Sequence, residues 1–289
     1  MKKIIYLLKK IFSKHTIDYQ LKINQIAIIN ELVKTYPLSK ISELNFKVFS
    51  QFNEDLIIQY LINNLNIKNK IFVELGVENY EEANTRLILE KDNWTGLVVD
   101  SSKKNINHII KQNYFWRHNL LAIEKFITKE NINEILTDNK INGNIGLLSI
   151  DLDGNDLWVW DEIKNIEPDI VILEYNAKFG INRSVSIKYD KNFIRKQIGI
   201  DKIIYGASLK ALIKISEKKG YSFVTTNQNG HNAFFVKNHL LNDKIFKISL
   251  DEGFKKSFFR EYLSEDELQF IDDKNLSDHL YKNNQIVEI

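Results

Sequence analysis

The chain has 289 residues, and 40 Lys and Arg against 38 Asp and Glu give a formal net charge of +2 at pH 7. That length suffices for one large domain with a well-buried core, and the near balance of charge gives no reason to expect nucleic acid as a partner. The chain contains no cysteine, which excludes disulfides, thiolate catalysis and cysteine-ligated metal sites.

The first segment of the sequence, "MKKIIYLLKKIFSKH", combines basic and apolar residues at helical spacing. Lys9 and Lys10 interrupt the apolar residues and no small-residue cleavage site follows, so the features of a signal peptide are incomplete. We expect a short amphipathic helix over 1–14. Two interpretations stay open: a helix that packs on the domain, or a weak contact with a membrane surface.

From Ile71 onward, apolar β-rich runs alternate with segments of helical spacing. Strands are predicted at 71–77, 94–102, 145–154 and 169–176, with a less clear strand within 114–123. Helices are predicted at 81–91, 103–113, 128–139 (with Thr128 as N-cap), 156–163 and 206–220. A hairpin is predicted over 221–237, turning at Asn229-Gly230. Residues 1–70 and 240–289 are also helical in pattern.

This alternation indicates the class of fold. Strands that alternate with helices predict a parallel sheet covered on both faces, and a hairpin that closes the series predicts an antiparallel edge. We therefore expect an α/β protein with a doubly wound, Rossmann-like sheet, an antiparallel edge hairpin, and helical N- and C-terminal additions.

Polar side chains end four of the predicted strands. In open α/β sheets the ligand binds in the crevice outside the carboxyl ends of the strands. That rule places these side chains around one crevice: Glu74, Asp100, Asp151, Asp153, Glu174 and Asn176. Asp100 is suited to a ribose, because a carboxylate accepts two hydrogen bonds from a vicinal diol. The alternatives are that Glu74 caps the next turn and that Asp100 or Ser101 caps a helix.

Several stretches resemble one family. "FVELGVENYEEANTRLILEKDNWTGLVVDSS" resembles the first motif and ribose loop of class I S-adenosylmethionine (SAM)-dependent methyltransferases, and "VFSQFNEDLIIQYLI" resembles the entry segment of their FkbM-like group. "LLSIDLDGNDLWVW", "ILEYNAKFG", "YGASLKALIKISEKKGY" and "GHNAFFVK" resemble blocks of a bacterial branch associated with surface-glycan biosynthesis. The resemblance covers 48–240, which predicts a methyltransferase-like domain there, with helical appendages at 1–47 and 241–289.

The resemblance implies SAM as the cofactor. Glu74 and Gly76 would line its methionine end and Asp100 its ribose, with Ser101 and Ser102 nearby. Gln51, Glu54 and Asp55 would form part of a lid over the site, again by resemblance. The chain departs from the family in one respect, since the usual glycine-rich G-x-G-x-G is reduced to Gly76 alone.

The acids after the fourth strand have three open interpretations. Methyl transfer to an oxygen requires alignment of donor and acceptor and removal of a hydroxyl proton. Asp151 is a candidate general base, alone or with Glu174. Alternatively, Asp151 and Asp153, with or without Asn176, bind Mg²⁺, which lowers the pKa of the acceptor hydroxyl. In the third interpretation, Asp153 only forms a turn and Asp156 only caps a helix.

The remaining candidates lie beside the same strands. His231, in the hairpin turn, is a third catalytic candidate, although a histidine in such a turn is usually exposed and without a role. We expect contacts with the substrate from four further side chains: Asp153, Asn176, Tyr205 and Asn232.

The sequence thus favours a SAM-dependent O-methyltransferase that acts on a bacterial cell-surface glycan or on its sugar or nucleotide-sugar precursor. Its expected location is the cytoplasm, with or without peripheral contact at the inner membrane through residues 1–14. The alternative is a methyltransferase-fold binding or scaffold subunit of a glycan-assembly complex that transfers no methyl group. The sequence defines neither the acceptor nor the oligomeric state.

Overall fold

The computed structural model describes residues 14–195, 203–257, 262–264, 267–269 and 285–289. The basic helix expected over 1–14 lies, except for its last residue, outside the described residues. Within the described ranges, no helix combines the length and the apolar character needed to cross a membrane.

The helices and strands follow in chain order. The α-helices are α1 (Lys14–Thr35), α2 (Leu38–Ile41), α3 (Glu54–Asn64), α4 (Arg86–Glu90), α5 (Lys103–Ile110), α6 (Asn113–Arg117), α7 (Ile132–Asp138), α8 (Asp156–Glu162), α9 (Leu209–Lys218) and α10 (Leu250–Gly253). The strands are β1 (Ile71–Leu75), β2 (Thr95–Asp100), β3 (Leu120–Glu124), β4 (Gly143–Ile150), β5 (Ile166–Glu174), β6 (Val185–Ile187), β7 (Tyr221–Thr226), β8 (Asn232–Lys237), β9 (Tyr262–Ser264), β10 (Glu267–Gln269) and β11 (Ile286–Glu288).

Seven strands form the central sheet in the order β3-β2-β1-β4-β5-β8-β7. The first five are parallel, whereas β8 pairs antiparallel with both β5 and β7. The predicted doubly wound sheet with an antiparallel edge hairpin is confirmed. The strand order reverses between β1 and β4, which is the point where open α/β sheets bind their ligands.

Alternate residues of the strands pack against helices on opposite faces of the sheet. Phe72 and Leu147 belong to one buried apolar cluster, together with Ile29 of α1 and residues of α3. Val73 and Leu148 belong to the other, with residues of α7, α8 and α9. This period-two alternation, with both faces buried, explains why the strands read as nearly continuous apolar runs.

Three predicted segments differ from the structure. The helix expected over 81–91 is confined to α4, because the chain adopts positive φ at Glu78 and Tyr80 and runs through turns until Thr85. The N-cap of α7 is Asn131, not Thr128, and its Oδ1 accepts a hydrogen bond from the Thr128 N–H.

The third difference lies in the C-terminal part of the chain. Helices were expected over 241–289, but its described residues form only the one-turn helix α10 and the short strands β9, β10 and β11. β-Branched Ile286 and Val287 pair with β6, which suits their strand preference. The domain boundaries themselves stay a prediction.

Candidate active site

A cavity of about 550 Å³ lies at the carboxyl ends of β1, β2, β4 and β5, at the point where the strand order reverses. It contains most of the predicted site residues, which lie far apart in sequence. The predicted residues that line it are Glu74, Gly76, Asp100, Ser101, Asp151, Asp153, Glu174, His231, Asn232 and Gln51. The rule that places ligands at the switch point therefore agrees with the position of the cavity.

Glu74 holds the loop between β1 and α4. Its Oε1 accepts a hydrogen bond from the Asn84 N–H at 2.8 Å, and its Oε2 accepts from the Thr85 N–H at 3.1 Å and from the Thr85 hydroxyl. Burial raises the pKa of Glu74 to about 7, although these hydrogen bonds act in the opposite direction. Glu74 therefore fixes one wall of the cavity as well as lining it.

Gly76 follows β1 and lies against Asp151, the residue that follows β4. Its φ is +80°, and a Cβ built there would lie 1.7 Å from the carbonyl oxygen of Asp151. The Asp151 N–H donates to the carbonyl of Leu75 at 3.0 Å, so the two strands stay paired up to this contact. No residue with a side chain fits this position without moving one of the two strand ends.

Asp100 ends β2 and is largely engaged within the protein. Its Oδ2 accepts from the Glu78 N–H at 2.8 Å, and its Oδ1 accepts from the Ser102 N–H at 2.8 Å and the Asn105 amide at 3.1 Å. A carboxylate has about four acceptor positions. One position, on Oδ2, is thus left for a ligand hydroxyl, and the predicted ribose contact stays a prediction.

Asp151, Asp156 and Glu174 form an acid cluster, of which Asp151 and Glu174 line the cavity and Asp156 lies behind them. One carboxylate oxygen from each residue lies within 4.8 Å of the other two. Burial, followed by repulsion from neighbouring carboxylates, raises the pKa of Asp151 and of Glu174 well above the usual values. The geometry therefore makes it unfavourable for all three carboxyl groups to be ionised at once without a neighbouring positive charge.

Asp156 belongs to this cluster, whereas the sequence indicated Asp153. The Asp156 Oδ1 accepts from the Leu152 N–H at 2.8 Å and its Oδ2 from the Gly154 N–H at 3.0 Å, which folds the turn after β4 back onto α8. Asp153 lies at the tip of this turn with φ +56°, and its side chain is 54% exposed. The N-cap of α8 is Asn155, not Asp156.

Glu174 lies beside His231. The His231 Nδ1 is 3.9 Å from Glu174 Oε1, and the imidazole stacks on Phe52 with ring centroids 5.8 Å apart. Burial, reinforced by the charges of Arg195 and Lys178, lowers the pKa of His231 to about 4. His231 is therefore neutral at pH 7, and its side chain is only 13% exposed, unlike the exposed histidine that a hairpin turn usually carries.

Arg195 and Phe193 line the cavity, and the sequence analysis missed both. The Arg195 Nη1 is 2.7 Å from Asp153 Oδ1, and its guanidinium carbon lies 3.5 Å from the centroid of the Tyr205 ring. The Phe193 ring packs on Gly154, where an added Cβ would lie 2.3 Å from it. They follow β6 in a stretch without a recognisable motif, so only the folded chain brings them to the site.

Glu54 connects α3 to the edge hairpin. Its Oε1 accepts from the amides of Asn227 at 2.7 Å and Asn232 at 2.9 Å, and its Oε2 accepts from the Phe52 N–H. The neighbouring Asp55 accepts three backbone N–H bonds from 48–50. Both carboxylates are fully buried, so they anchor this segment, and only Gln51 of the expected lid residues lines the cavity.

Three predicted site residues do not line the cavity. Ser102 is the N-cap of α5 and accepts from the Asn105 N–H. The Asn176 amide donates to the carbonyls of Ile203 and Tyr205 at 2.7 and 3.0 Å, and its oxygen accepts from Lys178. Tyr205 is buried beneath Arg195. Their positions give them structural contacts, and the predicted substrate contacts of Asn176 and Tyr205 stay predictions.

No family model matches the chain, and a search of curated proteins found no match. Similar solved structures include an O-methyltransferase from Bacillus cereus in complex with SAH (11% identity, 63% of this chain and 76% of that chain, TM-score 0.37). A second is a SAM-dependent methyltransferase from Clostridium acetobutylicum (10% identity, 63% of this chain and 89% of that chain, TM-score 0.39). A third is a putative caffeoyl-CoA O-methyltransferase from Staphylococcus aureus (16% identity, 82% of this chain and 98% of that chain, TM-score 0.41). At these identities and TM-scores the similarities assign no activity or ligand to this chain.

Proposed function

We propose that the protein is a SAM-dependent O-methyltransferase of the FkbM-like group. The observation that carries this proposal is the cavity at the switch point of the sheet, which Glu74, Gly76 and Asp100 line together with Asp151 and Glu174 of the acid cluster. The first three residues offer groups for a nucleoside cofactor, and the two acids offer groups for an acceptor hydroxyl.

The charge of the cavity suits this cofactor. Seven carboxylates line it (Glu74, Glu78, Glu82, Asp100, Asp151, Asp153 and Glu174), against the two permanent cations Lys125 and Arg195. The sulfonium of SAM is a cation, so the excess of acids favours its binding. A volume of about 550 Å³ lies within the ordinary range for small-molecule sites.

The chemistry belongs to the acid cluster. The attacking hydroxyl must align with the methyl–sulfur bond and lose its proton as the new bond forms. Asp151 and Glu174 face the cavity, and burial followed by repulsion from neighbouring carboxylates raises the pKa of both, which makes each carboxylate a stronger base than an exposed one. Two routes are available, direct proton transfer to a carboxylate or activation of the hydroxyl by a cation that the carboxylates bind.

For the acceptor we propose a hydroxyl of a sugar in a bacterial surface glycan or its precursor. This substrate class comes from the resemblance to the surface-glycan branch. The acidic lining favours neutral sugars over acceptors rich in phosphate, because phosphate groups would be repelled.

Calorimetry with SAM and S-adenosylhomocysteine tests the cofactor, and transfer of a labelled methyl group to neutral glycosides and nucleotide sugars tests the acceptor. We expect saturable binding of both nucleosides and labelling of at least one sugar. Failure to bind either nucleoside at millimolar concentration would overturn the proposal. Binding without transfer to any sugar would favour the binding or scaffold subunit instead.

A further inference from the structure

The acid cluster is built on three rigid elements. Asp151 follows β4, Asp156 is the first residue of α8, and Glu174 is the last residue of β5. Asp156 is fully buried and Glu174 is 6% exposed. Since one oxygen from each carboxylate lies within 4.8 Å of the others, the fold holds three acids at a separation that a shared positive charge would stabilise.

A second observation points to the same ligand. Within the described part of the chain, three buried oxygens that belong to cavity-lining residues accept no hydrogen bond: Glu174 Oε2, Asn232 Oδ1 and Asn155 Oδ1. Buried polar atoms normally have a partner. The two amide oxygens are acceptors, and so is Glu174 Oε2 when that carboxyl group is ionised, so a cation or a hydrogen-bond donor bound between them would satisfy all three.

The orientation of the two asparagines is fixed by their other ends. The Asn232 amide nitrogen donates to Glu54 Oε1 at 2.9 Å, and the Asn155 amide nitrogen donates to the carbonyl of Asp190 at 2.8 Å. Asn232 pairs directly with Glu174 across β5 and β8, so both side chains project from the same face of the sheet. The Asn232 oxygen is thereby held next to the cluster.

Arg195 lines the same cavity, and its positive charge partly offsets the rise in the pKa of Asp151 and of Glu174. It binds Asp153 and stacks on Tyr205. Asp153, the second metal ligand that the sequence indicated, therefore pairs with Arg195 and does not belong to the cluster, although its charge acts on the three cluster acids. The ligand set that the structure offers therefore differs from the Asp151–Asp153 pair.

We propose that Asp151, Asp156 and Glu174 bind a divalent cation of the Mg²⁺ or Mn²⁺ type, with Asn232 Oδ1 beside it as a further ligand or as the acceptor for a bound water. Such ions take oxygen ligands and keep several waters when few carboxylates hold them. The role of the cation, though not its binding, rests on the proposed function: in a methyltransferase the cation would bind the acceptor hydroxyl and lower the pKa of that hydroxyl.

Binding of Mn²⁺ alone, measured by electron paramagnetic resonance and calorimetry without SAM, tests the site on the full chain. We expect one bound Mn²⁺ that Mg²⁺ displaces. Glu174→Gln and Asp156→Asn should each weaken its binding at least tenfold. Glu82→Gln, which removes an acid of the same cavity outside the cluster, should change it less than twofold. Asp153→Asn removes a neighbouring charge but no proposed ligand, and should weaken binding less than either cluster variant. Circular dichroism checks that each variant is folded.

Other outcomes would overturn the proposal. The wild type would bind no Mn²⁺ at millimolar Mn²⁺ in tenfold molar excess over the protein. Alternatively, a folded Glu174→Gln variant would bind Mn²⁺ as tightly as the wild type, or Asp153→Asn would weaken Mn²⁺ binding as much as Asp156→Asn does. The proposed function fails separately, because it depends on SAM binding and methyl transfer. A protein that binds SAM and transfers methyl groups in the presence of EDTA would retain that function and lose the cation site.

Discussion

At the scale of single residues, Gly76 decides how closely the chain after β1 approaches the chain after β4. Gly76 is necessary because its Cα lies against the Asp151 carbonyl. The sequence showed that one glycine follows β1, and this was enough to predict a sharp turn there. It could not show the contact with Asp151, because that contact depends on the pairing of β1 with β4. These strands are far apart in sequence: Phe72 pairs with Leu147, 75 positions later.

Gly76→Ala is expected to destabilise the protein by about 3 kcal/mol or more, since it adds a backbone clash to the cost of a positive φ. Urea unfolding measures the change. Gly180→Ala is the matched control, because Gly180 has φ +72° with open space around its Cβ position. That variant should lose only about 1 kcal/mol. Equal losses in the two variants would contradict the role of the close approach.

Asp151→Asn is expected to leave SAM affinity nearly unchanged and to lower methyl transfer by about 10²–10⁴-fold, since the amide can neither accept a proton nor contribute a charge to a cation. Calorimetry with SAM and a labelled-methyl assay measure the two quantities. A variant that retains turnover would remove Asp151 from the chemistry under either route.

At the scale of elements, the start of α3 is fixed by buried acids instead of a surface cap. Glu54 and Asp55 are fully buried and together accept bonds from the preceding loop and from the edge hairpin. The sequence showed the segment "VFSQFNEDLIIQYLI", and its resemblance to the entry segment of the FkbM-like group suggested a lid. Its true partners were not visible, because Asn227 lies 173 positions from Glu54 and nothing in the local pattern encodes that distance.

The pH dependence of stability should report Asp55. Burial raises its pKa from 3.8 to about 6, so the folded state binds this proton more tightly than the unfolded state. The contribution of Asp55 to the free energy of unfolding therefore falls by about 3 kcal/mol as the pH rises from 4 to 6.

Asp55→Asn removes this titration. In urea unfolding at pH 4, 5, 6 and 7, we expect the stability of the variant relative to the wild type to increase across the window and then level off. A difference that is independent of pH would show that the carboxylate does not titrate in this way.

At the scale of the whole molecule, the two apolar clusters share one sheet, and the N-terminal helices belong to one of them. Ile29 of α1 is fully buried in the cluster that includes Phe72 and Leu147. The alternation of strands and helices was sufficient to predict this sheet. The extent of α1 packing was not predicted, because the polar and apolar residues of α1 form no clear stripe that indicates a partner.

Ile29→Ala tests whether 1–47 is an appendage or part of the core. We expect a loss of about 2–5 kcal/mol and an equal loss of amide protection in α3, β5 and α9 by hydrogen exchange, since the sheet transmits the change to the opposite face. Faster exchange confined to α1 and α3 would identify a separable unit.

The contact between Gly76 and Asp151 also has a thermodynamic consequence. The loop proposed to hold SAM and the residue whose carboxylate is proposed to hold the cation meet where Gly76 lies against the backbone carbonyl of Asp151. If SAM shifts this contact, the affinity for Mn²⁺ must change, and by linkage Mn²⁺ must change the affinity for SAM by the same factor. Two titrations, each with and without the other ligand, would measure that one coupling free energy.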